Sequence, residues 1–131
     1  MEKLQISTTD QTVMINITPK IQEIIDKKNF KNGVCQIYIP HTTAAVTINE
    51  NADPDVKHDI ITELNKVIPF NDGYYHTEGN SAAHIKASMI GTSEMVPVEN
   101  GSLQLGTWQG IFFCEFDGPR RREIWIQFLK Q

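Results

Sequence analysis

Residues 110–129, GIFFCEFDGPRRREIWIQFL, decide the fold because they hold two apolar runs on either side of a short polar turn. The runs are rich in β-branched and aromatic residues, which fit the half-buried surface of a sheet, and they predict strands over 110–116 and 123–129. Asp117-Gly118-Pro119 between them predicts a turn. The two strands are therefore expected to pair as an antiparallel hairpin.

Working outward from this stretch, the same residue types predict further strands at residues 4–8, 12–18, 34–39, 45–49, 94–98 and 103–105. The Asn100-Gly101 pair separates the last two of these strands. Asn-Gly is a strong hairpin signal, since both residues tolerate positive φ. We therefore expect that pair of strands to be a local hairpin.

Three windows are predicted to be helices. The first has Thr18 as its cap, and the second has Asp53 as its cap and ends at Pro69, with apolar residues at helical spacing between them. The third covers residues 82–89. Because the helices do not alternate strictly with the strands, we predict one α+β domain over residues 1–131, with a mainly antiparallel sheet or sandwich.

Composition restricts the class of protein. The 131 residues are 40% hydrophobic and 21% charged, which excludes a disordered chain, and no apolar run approaches the ~20 residues of a membrane span. Sixteen acidic against twelve basic residues give a net charge of −4, which disfavours nucleic acid as a partner. No secretory signal is visible, and Cys35 and Cys114 lie inside apolar runs. We expect a cytoplasmic protein with buried free thiols and no membrane partner.

Three of the four histidines are candidate functional residues because they lie in polar stretches at the ends of predicted elements: His41, His76 and His84. Such a set suits either a divalent metal or general acid–base chemistry near neutral pH. Glu78 is a candidate metal ligand, histidine partner or base. Asp53 is a candidate metal ligand, with the capping role above as the alternative.

Other polar residues extend this candidate site. All three arginines of the chain are consecutive, at 120–122, and a guanidinium there could bind phosphate or simply be solvated. His58 lies off the apolar stripe of the second helix and is predicted to be solvated. The residues expected to bind a substrate or its phosphate are Asn49, Asn51, Lys86, Ser88, Thr107, Trp108, Gln109 and Arg120.

The polar stretches occur in a fixed order along the chain: HTTA at 41–44, NENADPDV at 49–56, HIKAS at 84–88, GTWQG at 106–110 and EFDGPR at 115–120. Together they resemble the YjbQ-like family, also described as secondary thiamine-phosphate synthases. The resemblance covers the chain from its second predicted strand to its last.

The resemblance implies a trimeric α+β protein with the polar stretches near subunit boundaries. It also implies a transferase that condenses a hydroxymethylpyrimidine diphosphate with a thiazole phosphate. The three histidines would be its metal or catalytic set, with Mg²⁺ or Zn²⁺ as cofactor. Two alternatives stay open: a metal-dependent hydrolase or transferase of another phosphorylated metabolite, and a non-catalytic trimer that binds a metal or an anion.

Overall fold

Eight strands and three helices make up the chain in a computed structural model that describes residues 1–131. In chain order they are β1 (Glu2–Ser7), β2 (Val13–Asn16), α1 (Thr18–Lys28), β3 (Gly33–Tyr38), β4 (Ala44–Glu50), α2 (Pro54–Val67), α3 (Ser81–Ile90), β5 (Ser93–Glu99), β6 (Ser102–Leu103), β7 (Gln109–Glu115) and β8 (Arg121–Lys130). The predicted α+β class with three helices is confirmed.

The strands form two antiparallel sheets. One has five strands in the order β1-β8-β3-β5-β6, and the other has three in the order β2-β7-β4. The predicted hairpin at Asn100-Gly101 is confirmed, because β5 pairs with β6 and both turn residues have positive φ, 51° and 79°. These are the conformations that a two-residue hairpin turn requires.

The two strands at 110–129 do not pair with each other, so the predicted hairpin there is wrong. β7 pairs with β2 and β4, whereas β8 pairs with β1 and β3 in the other sheet. The strands lie in different sheets because their apolar side chains face each other across the core. Ile111 and Phe113 of β7 and Ile124 and Ile126 of β8 all belong to one buried cluster. The turn thus carries the chain across the core from one sheet to the other.

β7 is apolar on both faces because each face of its sheet is covered. Ile111 and Phe113 join the main core between the sheets, while Phe112 and Cys114 join a second cluster that includes residues of α3. Successive side chains of a strand point to opposite faces, so a strand covered on both sides reads as a continuous apolar run. α3 is therefore fixed against the outer face of the three-stranded sheet.

Of the two predicted helix caps, the one at Asp53 is confirmed and the one at Thr18 is wrong. Asp53 Oδ1 accepts a hydrogen bond from the Asp55 N–H at 2.9 Å, as predicted for the cap of α2. Thr18 does not cap α1, whose N-cap residue is Ile17 without a side-chain bond. The Thr18 hydroxyl instead accepts a hydrogen bond from the Ile111 N–H at 2.8 Å and ties α1 to β7.

Both cysteines are free and buried, as predicted. Cys35 lies in the main core and Cys114 in the cluster beneath α3. Burial raises the pKa of each thiol to about 12. Both side chains therefore behave as small apolar groups rather than as nucleophiles.

Gly33 is expected to be the glycine least tolerant of a side chain. Its φ is +149°, and a Cβ there would lie 2.0 Å from the Leu129 carbonyl oxygen on the neighbouring strand. We expect Gly33→Ala to lower the free energy of unfolding by about 1–3 kcal/mol, measured by urea denaturation. Gly73→Ala is the control, because nothing lies within 4 Å of that position. Equal stabilities of the two variants would contradict the prediction.

Candidate functional site

The predicted site residues separate into two groups at opposite ends of β4. His41 precedes the strand, whereas Asn49 and Asn51 lie at its far end. The seven residues of β4 span roughly 20 Å at the usual rise per residue. Gln109 pairs with Glu50 at the far end of β7. One chain therefore does not bring all the predicted residues into one site.

The near end carries the histidines and is called the histidine edge, defined as His41, His76 and His84. His84 lies on the first turns of α3, and the ring centroids of His76 and His84 are 5.6 Å apart in an edge-to-face arrangement. Both histidines line a cavity of about 380 Å³ with Tyr74, Tyr75, Ser81 and Ile85. His84 also lines a second cavity, which it shares with His41.

Glu78 belongs to the histidine edge through His76. Its Oε1 lies 3.8 Å from His76 Nε2, and its side chain is 75% exposed. At this distance the carboxylate can pair with His76 when the ring is protonated. The structure thus places three of the four predicted catalytic residues together and adds His41 on the other side of His84.

His41 has one ring nitrogen engaged by the backbone. The Glu123 N–H donates a hydrogen bond to His41 Nε2 at 3.0 Å. Burial and then the Arg122 guanidinium lower the pKa of His41, while the Glu123 backbone and the Glu115 and Glu123 carboxylates act in the opposite direction without outweighing them. An accepted hydrogen bond at Nε2 also requires the neutral ring. His41 therefore carries its proton on Nδ1 at neutral pH.

The lowered pKa of His41 predicts a loss of stability in acid. As the pH falls, the unfolded chain takes up a proton on His41 at the ordinary histidine pKa of about 6.5, before the folded chain does. Stability is therefore complete above that pH and falls as the pH drops through the folded pKa. From pH 7.5 to 5.5, urea denaturation should show a steeper loss for wild type than for His41→Asn. Parallel losses would contradict the prediction.

Lys86 and Ser88 are the two predicted ligand-binding residues on α3. Ser88 lines one of the cavities, whereas Lys86 lines neither. Lys86 is fully buried, with Nζ 2.5 Å from Asn65 Oδ1 of α2 and 4.0 Å from the centroid of the Phe70 ring. Burial lowers its pKa. It attaches α2 and Phe70 to α3 and reaches no cavity. Ser88 lines the cavity between His41 and His84 and donates a hydrogen bond to the His84 carbonyl at 2.9 Å.

The consecutive arginines have different surroundings. Arg120 is half-exposed and its guanidinium is paired with Asp117 Oδ2 at 3.0 Å. The same oxygen accepts a hydrogen bond at 3.0 Å from Asn80, the residue that precedes α3. Arg120 thus lies beside the start of α3. Arg122 is buried and forms an ion pair with Glu115. Of the two arginines that β-strand alternation places on one side, only Arg120 is accessible to solvent, and its guanidinium is engaged by Asp117 through both Nε and a terminal nitrogen.

At the far end of β4, polar side chains mainly satisfy their own loops. Asn49 Oδ1 accepts from the Glu50 N–H at 2.7 Å, and Asn51 Oδ1 accepts from Asn16 at 3.1 Å. Gln109 Oε1 accepts from the Gly106 N–H at 2.7 Å. These bonds shape the loop.

Two of the predicted ligand-binding residues at the far end project from this loop. Thr107 is exposed, and the side chain of Trp108 is 64% exposed. An exposed tryptophan next to a rigid loop is a common anchor at interfaces.

No group of three or more histidine, cysteine, aspartate and glutamate side chains lies close enough together to hold a metal ion. One chain therefore does not assemble the predicted set of His41, His76, His84 and Asp53. Asp53 caps α2, and His41 already accepts a backbone hydrogen bond at Nε2. Binding of Mg²⁺ or Zn²⁺ stays a prediction, and no chemical step below depends on it.

Sequence reasoning missed Thr42, Thr92 and Tyr74 as lining residues of the two cavities. Thr92 follows the glycine that ends α3, and its carbonyl accepts a hydrogen bond from the Ile39 N–H at 2.8 Å. This contact, together with the pairing of β3 with β5 directly after it, brings Thr92 beside His41 although the two residues are distant in sequence. The HTTA stretch was the signal for Thr42.

The fold and the site together define the class of protein: an α+β domain with two antiparallel sheets and a histidine edge. The chain belongs to the YjbQ-like family: the family model described as UPF0047 protein YjbQ-like matches residues 2–131. None of the three helices has the length and apolar character needed to cross a lipid bilayer.

Relatives and solved structures agree with this assignment. The chain is 53% identical to UPF0047 protein MJ1081 of Methanocaldococcus jannaschii, over 97% of this chain and 92% of that protein. It is 50% identical to UPF0047 protein YugU of Bacillus subtilis, over 98% of each. A YjbQ/UPF0047 protein of Clostridium acetobutylicum has a similar crystal structure, with a TM-score of 0.96 and 46% identity over 98% of this chain and 100% of that one.

The comparisons contradict the predicted activity. The relatives are named only by the designation UPF0047, and a similar structure from Sulfolobus solfataricus is described as a protein of unknown function. That structure has a TM-score of 0.93 and 33% identity over 99% of this chain and 96% of its own. The prediction of thiamine-phosphate synthesis is therefore wrong on these comparisons.

Proposed function

We propose that this chain is an acid–base enzyme that transfers a proton to or from a small phosphorylated metabolite at the histidine edge. The observation that carries the proposal is the position of His84, which lines both cavities and lies 5.6 Å from the ring of His76. Two adjacent imidazoles can supply an acid and a base at once, because one ring can hold the proton that the other lacks.

The surroundings of the pair support this chemistry. Glu78 can accept a hydrogen bond from a protonated His76, and Tyr74 and Ile85 line the same cavity as the two histidines. The phosphate group of the metabolite would lie in the cavity that His84 shares with His41, which has no carboxylate in its lining, while the reacting part lies between His76 and His84.

We also propose that the protein works as a homotrimer in the cytoplasm. The support for assembly is the exposure of large apolar side chains, 64% for Trp108 and 60% for Met89, which a monomer leaves in water. A second copy could bring the far end of β4, with Trp108, to the histidine edge of the first. The buried free thiols of Cys35 and Cys114 are compatible with a reducing compartment.

The test combines binding with turnover. Wild-type protein is incubated in D₂O with phosphate monoesters of sugars, alcohols and heterocycles, while ¹H and ³¹P NMR follow turnover and deuterium incorporation. Imidazole ¹H–¹³C spectra follow His76 and His84 in the same samples. We expect at least one monoester to shift both resonances and to exchange a proton. If none shifts either histidine, the proposal is overturned.

A further inference from the structure

The cavity between His41 and His84 is lined by donors and holds no carboxylate. Its volume is about 290 Å³. The lining residues are His41, Thr42, His84, Ala87, Ser88 and Thr92. Because a wall without acidic groups does not repel negative charge, this cavity fits a group that only accepts hydrogen bonds.

Two of these donors are free to bind a ligand. The hydroxyls of Thr42 and Thr92 form no hydrogen bond within the chain, whereas the Ser88 hydroxyl is engaged by the His84 carbonyl. Thr92 is held in place through its backbone, since its carbonyl accepts from the Ile39 N–H at 2.8 Å. A hydroxyl on a fixed backbone can donate to an oxygen atom in the cavity without reorganising the fold.

The third donor is His41, and its tautomer is fixed by geometry. Since the Glu123 N–H donates to Nε2 at 3.0 Å, the ring proton is on Nδ1. Arg122, which precedes Glu123 on the same strand, donates a hydrogen bond to the Thr43 hydroxyl at 2.9 Å. Adjacent residues of β8 thus hold the turn that carries His41 at two points. The imidazole is a preorganised N–H donor.

We propose that His41, Thr42 and Thr92 form an oxyanion subsite that binds phosphoryl oxygens opposite His84. In this site His41 is a neutral hydrogen-bond donor, neither a metal ligand nor a general base. The inference rests on the proposed function and deepens it, because it assigns proton transfer to His84 and His76 and places the phosphoryl group of the metabolite against His41. Donors of this kind act without reorganisation when negative charge is present.

The first test needs no ligand. ¹⁵N NMR of the imidazoles at pH 7 distinguishes the neutral tautomers from imidazolium. We expect His41 to be protonated on Nδ1 and unprotonated on Nε2. A proton on Nε2, in either the other tautomer or the charged ring, overturns the inference.

The second test uses inorganic phosphate as the probe, with its affinity read from the His84 resonance. His41→Asn keeps an N–H donor near the position of Nδ1, so we expect its Kd to stay within about threefold of wild type. His41→Ala and Thr92→Val each remove one donor to a charged group, and we expect about tenfold weaker binding. If His41→Asn binds as weakly as His41→Ala, the donor role is overturned.

The two proposals fail in distinguishable ways. Absence of a phosphate-induced shift at His41 overturns the oxyanion subsite, whatever the monoesters do at His76 and His84. Conversely, a shift at His41 without any monoester response at His76 and His84 overturns the acid–base function and leaves an anion-binding site. Folding of each variant is checked by its urea denaturation midpoint.

Discussion

Arg122→Met should lower the free energy of unfolding by about 3–5 kcal/mol, because it leaves the Glu115 carboxylate buried without a cation. Glu115 is fully buried and Arg122 is 4% exposed. Both oxygens of the carboxylate accept from the guanidinium, and Oε1 also accepts from the Thr8 hydroxyl at 2.8 Å. Urea denaturation of wild type and variant at pH 7 measures the loss.

The neighbouring arginine supplies a matched control. Arg121 is exposed, and its side chain makes no ion pair or hydrogen bond within the chain, so Arg121→Met should change stability by less than about 0.5 kcal/mol. The double variant Arg122→Met/Glu115→Gln should lose less than Arg122→Met alone, because no buried charge is left unpaired. A loss at position 122 no larger than at position 121 would contradict this account.

The ion pair also predicts a dependence on pH. Burial by itself raises the pKa of Glu115, but hydrogen bonds from Arg122, the Asp117 N–H and Thr8 outweigh it and hold the pKa below its usual range. The folded carboxylate thus releases its proton more readily than the unfolded one. Its contribution to stability is complete above the usual glutamate pKa of about 4.3 and is lost as the pH falls through the folded value.

Local signals in the sequence predicted the elements, but only one of the two predicted strand pairings is correct. Asn100-Gly101 sets both the turn and the pairing of β5 with β6, because a two-residue loop of this type brings the two strands that flank it side by side. The turn at Asp117-Gly118-Pro119 carries no such constraint. Which sheet β8 joins depends on β1 and β3, whose residues lie more than 80 positions away in sequence.

The candidate site shows the same division. His76 and His84 are eight positions apart across a loop and the start of a helix, so their proximity follows from local geometry. His41 joins them only because Thr92 and β8 hold its turn. The split of the predicted ligand residues could have been recognised from the sequence, since the predicted strand 45–49 separates His41 from Asn51 and a strand cannot bring its own ends together.

The burial of Arg122 has no sequence signal of its own. Alternation along a strand places Arg120 and Arg122 on the same side, but one is half-exposed and the other buried. The difference lies in Glu115 and Thr43, which reach Arg122 from the other sheet and from the turn before β4. From the sequence alone, three consecutive arginines are therefore expected to be solvated, and only the tertiary partners show that one of them is buried.

His84→Ala should lower the rate of proton transfer to the responding monoester by about 10²–10⁴-fold, the usual contribution of a general acid or base. The reason is the position of His84, which alone among the histidines lines both cavities and therefore faces both His76 and a group held at His41. Stability should change little, because His84 is only half-buried and its side chain makes no hydrogen bond within the chain. Deuterium incorporation followed by ¹H NMR measures the rate.

His58→Ala is the matched control, since His58 also lies on a helix, lines neither cavity, and has a side chain that is 77% exposed. It should retain the wild-type rate. A second control separates chemistry from binding, because His84→Gln keeps a polar side chain that cannot act as a general acid or base. This variant should bind the monoester within about threefold of wild type and still lose the rate of proton transfer. If His84→Gln or His84→Ala keeps more than about a third of the wild-type rate, His84 is not the proton-transfer group. His76, the other imidazole of the pair, would then have to act alone.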